Sequence, residues 1–237
     1  MISIRTADSP THNHLLDLLP APDRARLLAM CEWVPLEAGA VLGESGMPTR
    51  DVYFPVHGFV SLIAHNHDSP ELELGMVGRE GMLGAPTALG VNVAPMRMVV
   101  QGGGAAWQTS VASFRQELAR SVALQRFVNR YLYVLLAQMG SCGVCQRFHS
   151  VGLRLARWIL VCQDRAGSDQ FHMTQELLAA RLGVRRVGIT HAAGALQNAR
   201  LIAYHRGHIH VLDRVGLEAV ACGCYAADNH TYSSVLS

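Results

Sequence analysis

The chain contains no lysine, so all 20 of its basic residues are arginines. It also has little net charge, +2 at neutral pH, and only 16% of its residues are charged. So small a net charge does not by itself indicate a nucleic-acid partner. Because half of the residues are apolar, the composition excludes a disordered chain and favours folded domains. A length of 237 residues allows two domains with separate cores.

Long apolar runs are also lacking. The first 14 residues have neither the basic start nor the apolar stretch of a secretory signal. No segment approaches the ~20 apolar residues that cross a bilayer, and residues 132–139 are among the longest such runs. We therefore expect a cytoplasmic protein without a membrane partner. In that compartment its six cysteines are expected to be reduced thiols.

Residues 174–202 have the spacing of two short helices that meet at a tight corner. Apolar residues recur at three- and four-residue intervals in both halves: Leu177, Leu178 and Leu182, then Ile189, Ala192, Ala193 and Leu196. Gly183 separates the halves and tolerates the left-handed backbone that an immediate reversal needs. Thr174 stands where an N-terminal cap is expected. The pattern predicts a helix-turn-helix.

The second helix of such a unit enters the DNA major groove with its first residues. Arginine can donate two hydrogen bonds to one guanine, so Arg186 is predicted to read a base. Further contacts with phosphates or bases are expected from Arg185, from the backbone N–H of Gly188, and from Thr190 and His191. The alternative is an ordinary two-helix corner with solvated arginines.

Residues 201–212 alternate around a glycine turn, which predicts a two-stranded wing. Arg206, His208 and His210 are placed near its tip, within reach of DNA phosphates. Residues 174–214 contain six arginines but only one glutamate and one aspartate, so we expect a locally basic surface. Four histidines between residues 191 and 210 raise the alternative of a zinc site. Their distribution over a helix and both faces of a hairpin disfavours it.

Between residues 34 and 108, short alternating runs are separated by Gly and Pro, as is typical of an antiparallel sandwich or barrel. The stretches LEAGAVLGESGMPTRDVYFPVHGFVSL and ELELGMVGREGMLGAPTALG resemble the sensor domain of the cyclic-AMP receptor and fumarate–nitrate regulator (CRP/FNR) superfamily. With the helix-turn-helix and wing, the resemblance covers nearly the whole chain.

This resemblance implies an α+β fold with an N-terminal antiparallel β jelly-roll sensor, a long central dimerisation helix and a C-terminal winged helix-turn-helix. We expect the sensor at residues 14–120, the dimerisation helix at 121–149 and the DNA-binding domain at 150–225. Residues 226–237 are expected to form a frayed polar tail.

In that superfamily a short helix and loop of the sensor cradle an effector phosphate, and the matching positions here are Gly84, Ala85 and Arg97. The chain departs from the cyclic-nucleotide binders. Ala85-Pro86 and Pro95-Met96-Arg97 stand where those proteins carry a glutamate and an arginine–serine pair. We therefore expect a small-molecule effector, but the sequence does not identify it. A cyclic nucleotide is not favoured.

The longest helical pattern, residues 122–149, carries a heptad seam. Its members are Leu124, Val128, Tyr131, Leu135, Gln138, Cys142 and Cys145. We expect this seam to pair with a second copy, while Phe127, Leu132 and Leu136 face the sensor. The resulting parallel homodimer would hold its two reading helices ~34 Å apart. The alternative is that the seam packs on the sensor.

Cysteine spacing leaves a second hypothesis open. Cys142 and Cys145 have the separation of a metal-binding or redox pair, which would make the protein a redox- or metal-sensing regulator. Both also fit the heptad as small buried residues. Cys222 and Cys224 are a weaker signal of the same kind, and no metal ligand is predicted.

The sequence therefore predicts a homodimeric, effector-controlled transcription regulator that reads a two-fold operator in double-stranded DNA, and not an enzyme. Arg186, Val187 and His191 stand where the superfamily offers Arg, Glu and Arg to the bases, so a different operator is expected. The resemblance also implies that the loop at residues 167–169 can touch RNA polymerase. A cupin-like metalloenzyme is a further alternative, with ligands drawn from His57, His65, His67, Glu71 and Glu73.

Overall fold

The computed structural model of the protein describes residues 13–64 and 71–236. An N-terminal sheet with flanking helices is joined by one long helix to a C-terminal domain of helices and a small sheet. The N-terminal strands are β1 (Glu32–Leu36), β2 (Val41–Gly43), β3 (Asp51–Ala64), β4 (Leu72–Val77) and β5 (Arg97–Ser110). They pair antiparallel in the order β1-β5-β3-β4, with β2 also on β5. The predicted antiparallel β fold of the N-terminal domain, called the sensor domain below, is thereby confirmed.

Two long strands, β3 and β5, form the centre of this sheet and pair along most of their length. Their sequences suggest separate short runs, because glycines interrupt the alternation. In the structure these glycines instead mark shifts of register within continuous strands. Gly58 has φ +76°, and a Cβ there would meet the Gly102 carbonyl oxygen at 2.2 Å. Only glycine allows two backbones to approach so closely.

Two short helices, α1 (His14–Asp17) and α2 (Ala21–Leu28), precede the sheet. Asn13 is fully buried, and its side-chain oxygen caps the first turn of α1. Its amide group donates to the carbonyls of Pro55 and Gly81 at 2.8 and 2.9 Å. One polar side chain thus anchors the N-terminal helices to the sensor.

The sensor continues into α3 (Val111–Arg120) and the long helix α4 (Val122–Phe148), which ends within one residue of the predicted position. Side chains of Ser110 and Ser121 cap the two helices by accepting N–H groups of their first turns. This local chemistry explains why the start of α4 agrees with the start predicted from the sequence.

The seam predicted for dimerisation is turned toward the protomer's own interior. Five of its seven residues are buried, namely Leu124, Val128, Tyr131, Cys142 and Cys145, while Leu135 and Gln138 are half-buried. Most of the buried seam packs with the sensor helices and with the C-terminal end of the chain. A surface already covered in the protomer cannot face a second copy, so the structure corrects this assignment. Leu136, expected to face the sensor, is 70% exposed.

The C-terminal segment forms a helix, α9 (Cys224–Leu236), and is not the expected frayed tail. It packs along α4, and Leu236 is buried in the sensor core. The Tyr232 hydroxyl donates to a backbone carbonyl of the sensor at 2.7 Å, and Asp228 pairs with Arg157 at 2.6 Å. Because small and polar residues separate these contact residues, the sequence pattern does not indicate that the segment packs on α4.

The C-terminal domain surrounds a core shared by four helices and a three-stranded sheet. Its helices are α5 (Val151–Ala166), α6 (Gln175–Leu182), α7 (Arg186–Asn198) and α8 (Arg214–Val220). Its strands are β6 (Gln170–His172), β7 (Ile202–His205) and β8 (His208–Val211), in the order β6-β8-β7. No helix among the described residues has the length and apolarity needed to cross a membrane.

A buried glutamate joins the two domains. Glu73 on β4 accepts a hydrogen bond from Trp158 Nε1 on α5 at 2.7 Å, and the Ser61 hydroxyl donates to the same carboxyl group. Burial raises the pKa of Glu73, while these hydrogen bonds and the nearby Arg181 oppose the rise. Folding therefore favours the neutral carboxyl group at this position.

Glutamine at position 73 keeps an acceptor for Trp158 and a donor for Ser61 while it removes a costly buried carboxylate. Because the folded pKa is raised, the stability contributed by the Glu73 carboxyl group is present below the ordinary glutamate pKa. It is lost as the pH rises through the raised value. We expect Glu73→Gln to increase the free energy of unfolding by up to about 1 kcal/mol at neutral pH and to make it less dependent on pH.

The matched variant Glu73→Ala leaves the Trp158 N–H without its acceptor. Its free energy of unfolding should fall by about 2 kcal/mol. Urea unfolding of the three proteins, from below to well above the ordinary glutamate pKa, measures both effects. An unchanged pH slope in Glu73→Gln would contradict the assignment.

Candidate DNA interface and sensor cavity

The predicted helix-turn-helix is formed by α6, a short corner and α7. Thr174 Oγ1 accepts the Leu177 N–H at 3.2 Å, so the predicted cap is confirmed. Gly183 ends α6 with φ +61°, and the next N–H, of Val184, donates to the Ala179 carbonyl at 2.9 Å. The glycine and this hydrogen bond turn the chain directly into α7.

The start of α7 presents two arginines to solvent. Arg185 is the N-cap residue, Arg186 is the first helical residue, and both are exposed together with Val187. The opposite face buries Ile189, Ala192, Ala193 and Leu196 in the domain core. The first N–H groups of a helix have no acceptor within it, and they favour an anion there. This end of α7 can therefore receive a phosphate or a base edge.

Two of the predicted contact residues have partners within the protein. The Gly188 N–H donates to the Arg185 carbonyl at 2.9 Å, so its predicted role as a phosphate donor is not supported. Thr190 is exposed, and its Oγ1 lies 2.7 Å from Gln175 Oε1 and 3.2 Å from the Arg186 carbonyl. This hydroxyl ties α7 to the first turn of α6, while His191 beside it is exposed.

The predicted wing is present as β7 and β8, and β6 adds a third strand that the sequence does not reveal. Arg206 and Gly207 form its turn with φ +48° and +83°. Arg206 and His208 are exposed, as expected at the tip. The His208 ring stands 4.9 Å from the ring of His172 on β6, so the third strand supports the tip.

Side chains without a sequence signal fasten the wing to α7. Gln197 Oε1 accepts the Tyr204 N–H at 2.9 Å, and the Tyr204 hydroxyl donates to the Met173 carbonyl at 2.6 Å. Burial raises the pKa of Tyr204 to about 12, and the positive charge of Arg186 opposes that rise. Gln197 and Tyr204 therefore tie the wing to the end of α7 and to the segment before α6.

The basic face is narrower than the count of arginines suggests. Arg181 is buried and lies 3.6 Å from Glu71 of the sensor. Arg214 pairs with Asp164 at 2.8 Å and with Glu218 at 2.9 Å. Of the other four arginines, all exposed, Arg185 and Arg186 lie at the start of α7, Arg206 lies at the wing turn, and Arg200 follows the C-terminal end of α7. Two of the six expected charges therefore serve the protein's own packing.

In the sensor, a cavity of about 510 Å³ lies between the sheet, the 3₁₀ turn at Ala85–Leu89 and α4. Gly84 and Ala85, two of the predicted effector contacts, line it. Much of its wall is aliphatic or thioether: Leu62, Val77, Met82, Leu83, Met96, Met98, Leu132, Leu135 and Met139. Thr49 and Tyr133 add hydroxyl groups, and no lining residue in the described part of the chain is charged. Such a wall suits an apolar ligand of ordinary size.

Arg97, the third predicted effector contact, does not line this cavity. Successive residues of a strand point to opposite faces, and its neighbours Met96 and Met98 face the cavity. The Arg97 guanidinium pairs on the other side with Glu71 at 2.7 Å and Glu44 at 3.2 Å. The Arg97 guanidinium would therefore not pair with a phosphate bound in this cavity.

The ligands considered for a cupin-like metal site do not converge. Glu71 pairs with two arginines, Glu73 is buried against Ser61 and Trp158, and His57 is exposed. His65 and His67 lie outside the described residues. The described part of the sensor therefore offers no support for a metalloenzyme.

Residues 153–220, which extend from α5 to the end of α8, match the model of the Crp-like helix-turn-helix domain. FixK2 from Bradyrhizobium japonicum has a similar structure, with 13% identity and a TM-score of 0.69 over 81% of this chain and 98% of that one. The c-di-GMP responsive regulator CLP of Xanthomonas campestris is 18% identical, with a TM-score of 0.65 over 81% and 99% of the two chains.

A transcriptional regulator of the CRP family from Thermus thermophilus is 16% identical, with a TM-score of 0.64 over 79% and 96% of the two chains. No curated protein matches the sequence of this chain.

Identities of this size show a common fold, and the C-terminal match identifies the domain that carries α6, α7 and the wing. The sensor sheet, the long helix and this domain follow one another in the order typical of that fold. Residues 153–220 therefore form a Crp-like helix-turn-helix domain, and the chain as a whole shares its fold with transcription regulators of the CRP/FNR family.

Proposed function

We propose that two copies of the chain bind a two-fold operator, each inserting the start of α7 into a major groove, under the control of a small molecule in the sensor. The observation that carries this proposal is the exposed Arg185-Arg186 pair at the N-terminus of α7, beside a wing whose tip carries a third arginine. We propose no catalytic activity, in keeping with a superfamily of regulators.

The exposed residues suggest a division of labour at DNA. Arg186, on the first turn of α7, is suited to bidentate contact with guanine. Arg185 precedes it and is suited to a phosphate, as are Arg206 and His208 of the wing. His191 and Thr190 lie on the next turn of α7, where they can meet a neighbouring base or phosphate. Val187 offers no acceptor to cytosine, so the operator should differ from one read by a glutamate there.

The dimer surface that we propose is the outward face of α4. Its apolar or small residues recur at three- and four-residue spacing and are at least partly exposed: Tyr133, Leu136, Ala137, Gly140, Val144 and Phe148. Leu136 and Phe148 are 70% and 73% exposed, which is unusual for large apolar side chains on a helix. Gly140 allows two helices to approach closely. A parallel pairing here would place the reading helices ~34 Å apart.

The same face of α4 borders the sensor cavity. Tyr133 and Leu136 line the cavity and also belong to the outward face. A ligand that reorients either side chain would change the surface presented to the second copy. We therefore propose that an uncharged, largely apolar effector acts on DNA binding through α4.

Domain boundaries follow from this arrangement. We assign residues 14–120 to the sensor, 121–149 to the dimerisation helix and 150–225 to the DNA-binding domain, with α9 returning to pack on α4. The turn at residues 167–169 connects α5 to β6, and we propose it as the part of the domain that can contact RNA polymerase.

Replacing single arginines tests the assignment of α7. On an operator selected from random duplexes, Arg186→Ala should lose ~1–3 kcal/mol of binding per half-site and discriminate less between bases at one position. Arg185→Ala should weaken binding to all duplexes similarly and lower the salt slope by about 1 per chain. Fluorescence anisotropy at several salt concentrations measures both quantities.

Arg120→Ala is the matched control, because Arg120 is exposed at the end of α3, in the sensor part of the chain. It should bind like wild type. Equal losses for all three variants would show that the arginines contribute only general charge and would overturn the division of labour.

A charge on the outward face of α4 tests the dimer. Leu136→Glu places a carboxylate at the proposed contact and should convert a dimer into monomers, since burying an unpaired charge is costly. Val215→Glu alters an equally exposed apolar residue, 77% exposed on α8, and should remain dimeric. Sedimentation velocity separates the two states. A dimeric Leu136→Glu protein would show that the copies meet elsewhere.

The apolar cavity predicts which ligands the sensor accepts. Cyclic AMP at millimolar concentration should give no binding heat, whereas the uncharged probe N-phenyl-1-naphthylamine should gain fluorescence in the cavity. Leu89→Trp fills the rim of the cavity and should reduce that gain. Val93→Trp, on an exposed residue outside the lining, is the control. Calorimetric binding of cyclic AMP would contradict the apolar assignment.

A further inference from the structure

Three cysteines and one histidine from two distant segments come together near the bend between α4 and α5. The ligand atoms of Cys145, His149, Cys222 and Cys224 all lie within 4.8 Å of one another. Among the described residues, this is the one group of three or more potential metal ligands at such separations. It is located outside the DNA interface and outside the apolar cavity.

Local structure accounts for both halves of the group. Cys145 and His149 are four residues apart at the end of α4, so their side chains share one side of the helix. His149 is the C-cap residue, and its N–H donates to the Cys145 carbonyl at 3.1 Å. Cys222 and Cys224 flank the exposed Gly223 at the start of α9. The structure thus brings the Cys145–His149 pair at the end of α4 next to the Cys222–Cys224 pair at the start of α9.

Two of the six separations match the edges of a tetrahedron around one metal ion, and all six are at most 4.8 Å. With typical bonds of ~2.3 Å to sulfur and ~2.05 Å to nitrogen, a tetrahedral ion sets its ligand atoms ~3.8 Å apart for two sulfurs and ~3.6 Å apart for sulfur and nitrogen. Here Cys145 Sγ and Cys222 Sγ are 3.5 Å apart, and Cys224 Sγ and His149 Nδ1 are 3.6 Å apart. We propose that Cys145, His149, Cys222 and Cys224 bind one thiophilic divalent cation, with Zn²⁺ as the best match.

The ligand set and its compactness argue for a single ion. Three thiolates and one imidazole are a common ligand set of structural zinc sites, and tetrahedral sulfur–nitrogen sites select zinc among common metals. An iron–sulfur cluster distributes its ligands over several irons, which requires wider separations than these. All three cysteines are buried, so a bound ion would be shielded from exchange with water.

The surroundings suit the charge that such a site would carry. Three thiolates and a neutral imidazole leave one net negative charge around Zn²⁺. The hydrogen bond between the thiols of Cys145 and Cys222 raises the pKa of Cys145 to about 12 and lowers the pKa of Cys222. Arg157 and Cys145 line the same pocket, and the positive charge of Arg157 lowers the pKa of both Cys145 and Cys222. Asp228 on α9 holds Arg157 in place at 2.6 Å. The guanidinium near the site is therefore held in place, and its charge is shared with the Asp228 carboxylate.

The site would join the end of α4 to the C-terminal end of the winged domain. His149 immediately precedes Ser150, where the chain bends into α5, and Cys222 follows α8 by two residues. An ion held by both segments would restrict rotation of the DNA-binding domain about that bend. Metal loading is thereby a candidate means of setting the angle between α4 and α7.

This assignment changes the pairing that the sequence suggests. Cys142 does not belong to the group, because its thiol lies 3.7 Å from the Glu73 carbonyl, toward the sensor. The spacing of Cys142 and Cys145 therefore does not mark a ligand pair. Cys142 is instead a matched control: a buried thiol on the same helix, one turn away.

The test uses the full-length reduced protein, stripped with a chelator and titrated with Co²⁺ and then Zn²⁺ without oxygen. We expect one Co²⁺ per chain with the intense visible bands of a tetrahedral thiolate site, displaced stoichiometrically by Zn²⁺. Cys145→Ser and Cys224→Ser should weaken Co²⁺ binding at least tenfold or change its spectrum, while Cys142→Ser should retain the wild-type spectrum and stoichiometry. Zinc should also raise the melting temperature of wild type but not of Cys224→Ser.

A second readout does not depend on the folding of any variant. In wild-type protein, stoichiometric Zn²⁺ should protect three of the six thiols from alkylation, and mass mapping should locate them at Cys145, Cys222 and Cys224. Absence of Co²⁺ bands in folded wild type, or equal loss in Cys142→Ser and Cys145→Ser, would overturn the proposal. A Cys145–Cys222 disulfide that forms in preference to metal binding would also overturn it.

Discussion

Burial of the inward face of α4 is the constraint on which the rest of the structure depends. Tyr131 and Val134 on this face are almost completely buried, and the sensor helices and α9 pack around them. Burying side chains of this size stabilises the fold by roughly 1.5–3 kcal/mol each. Because this face is committed to the protomer, the opposite face is the part of α4 that remains available to a second copy or to an effector.

The orientation of the DNA-binding domain relative to α4 depends on polar contacts as well as apolar packing. Trp158 of α5 donates to the buried Glu73 of the sensor, and Arg154 donates to the Leu182 carbonyl and to Gln146 at the end of α4. Hydrogen bonds of this kind are directional and costly to break inside a protein. These contacts connect α5 directly to β4, to the end of α4 and to the end of α6.

The sequence identifies local features well. Thr174 and Gly183 mark the two ends of α6 because capping and left-handed corners depend on one residue and its immediate neighbours. The paired arginines at the start of α7 can be recognised for the same reason. By contrast, periodicity shows that α4 has two apolar faces but does not show which face the sensor covers. Leu135 and Leu136 are adjacent, and only the tertiary structure distinguishes the half-buried residue from the exposed one.

Features that depend on distant segments could not be predicted. Cys145 and Cys222 are 77 positions apart, and the pairing of cysteines cannot be deduced from a single sequence. The helix α9 lacks a strong apolar repeat, so its packing on α4 is visible only in the structure. The apolar cavity is likewise assembled from the sheet, the 3₁₀ turn and α4. Arg97, predicted as an effector contact, does not line this cavity, because the sequence does not show which face of its strand is turned toward it.

The most direct test of the central claim is hydroxyl-radical footprinting of the protein on a selected operator. Two chains that each place α7 in a major groove should protect two backbone segments on one side of the duplex, separated by one helical turn, ~10–10.5 base pairs. The pattern should be symmetric about the operator centre. A single protected segment per bound protein, or protection without a fixed spacing, would contradict the account.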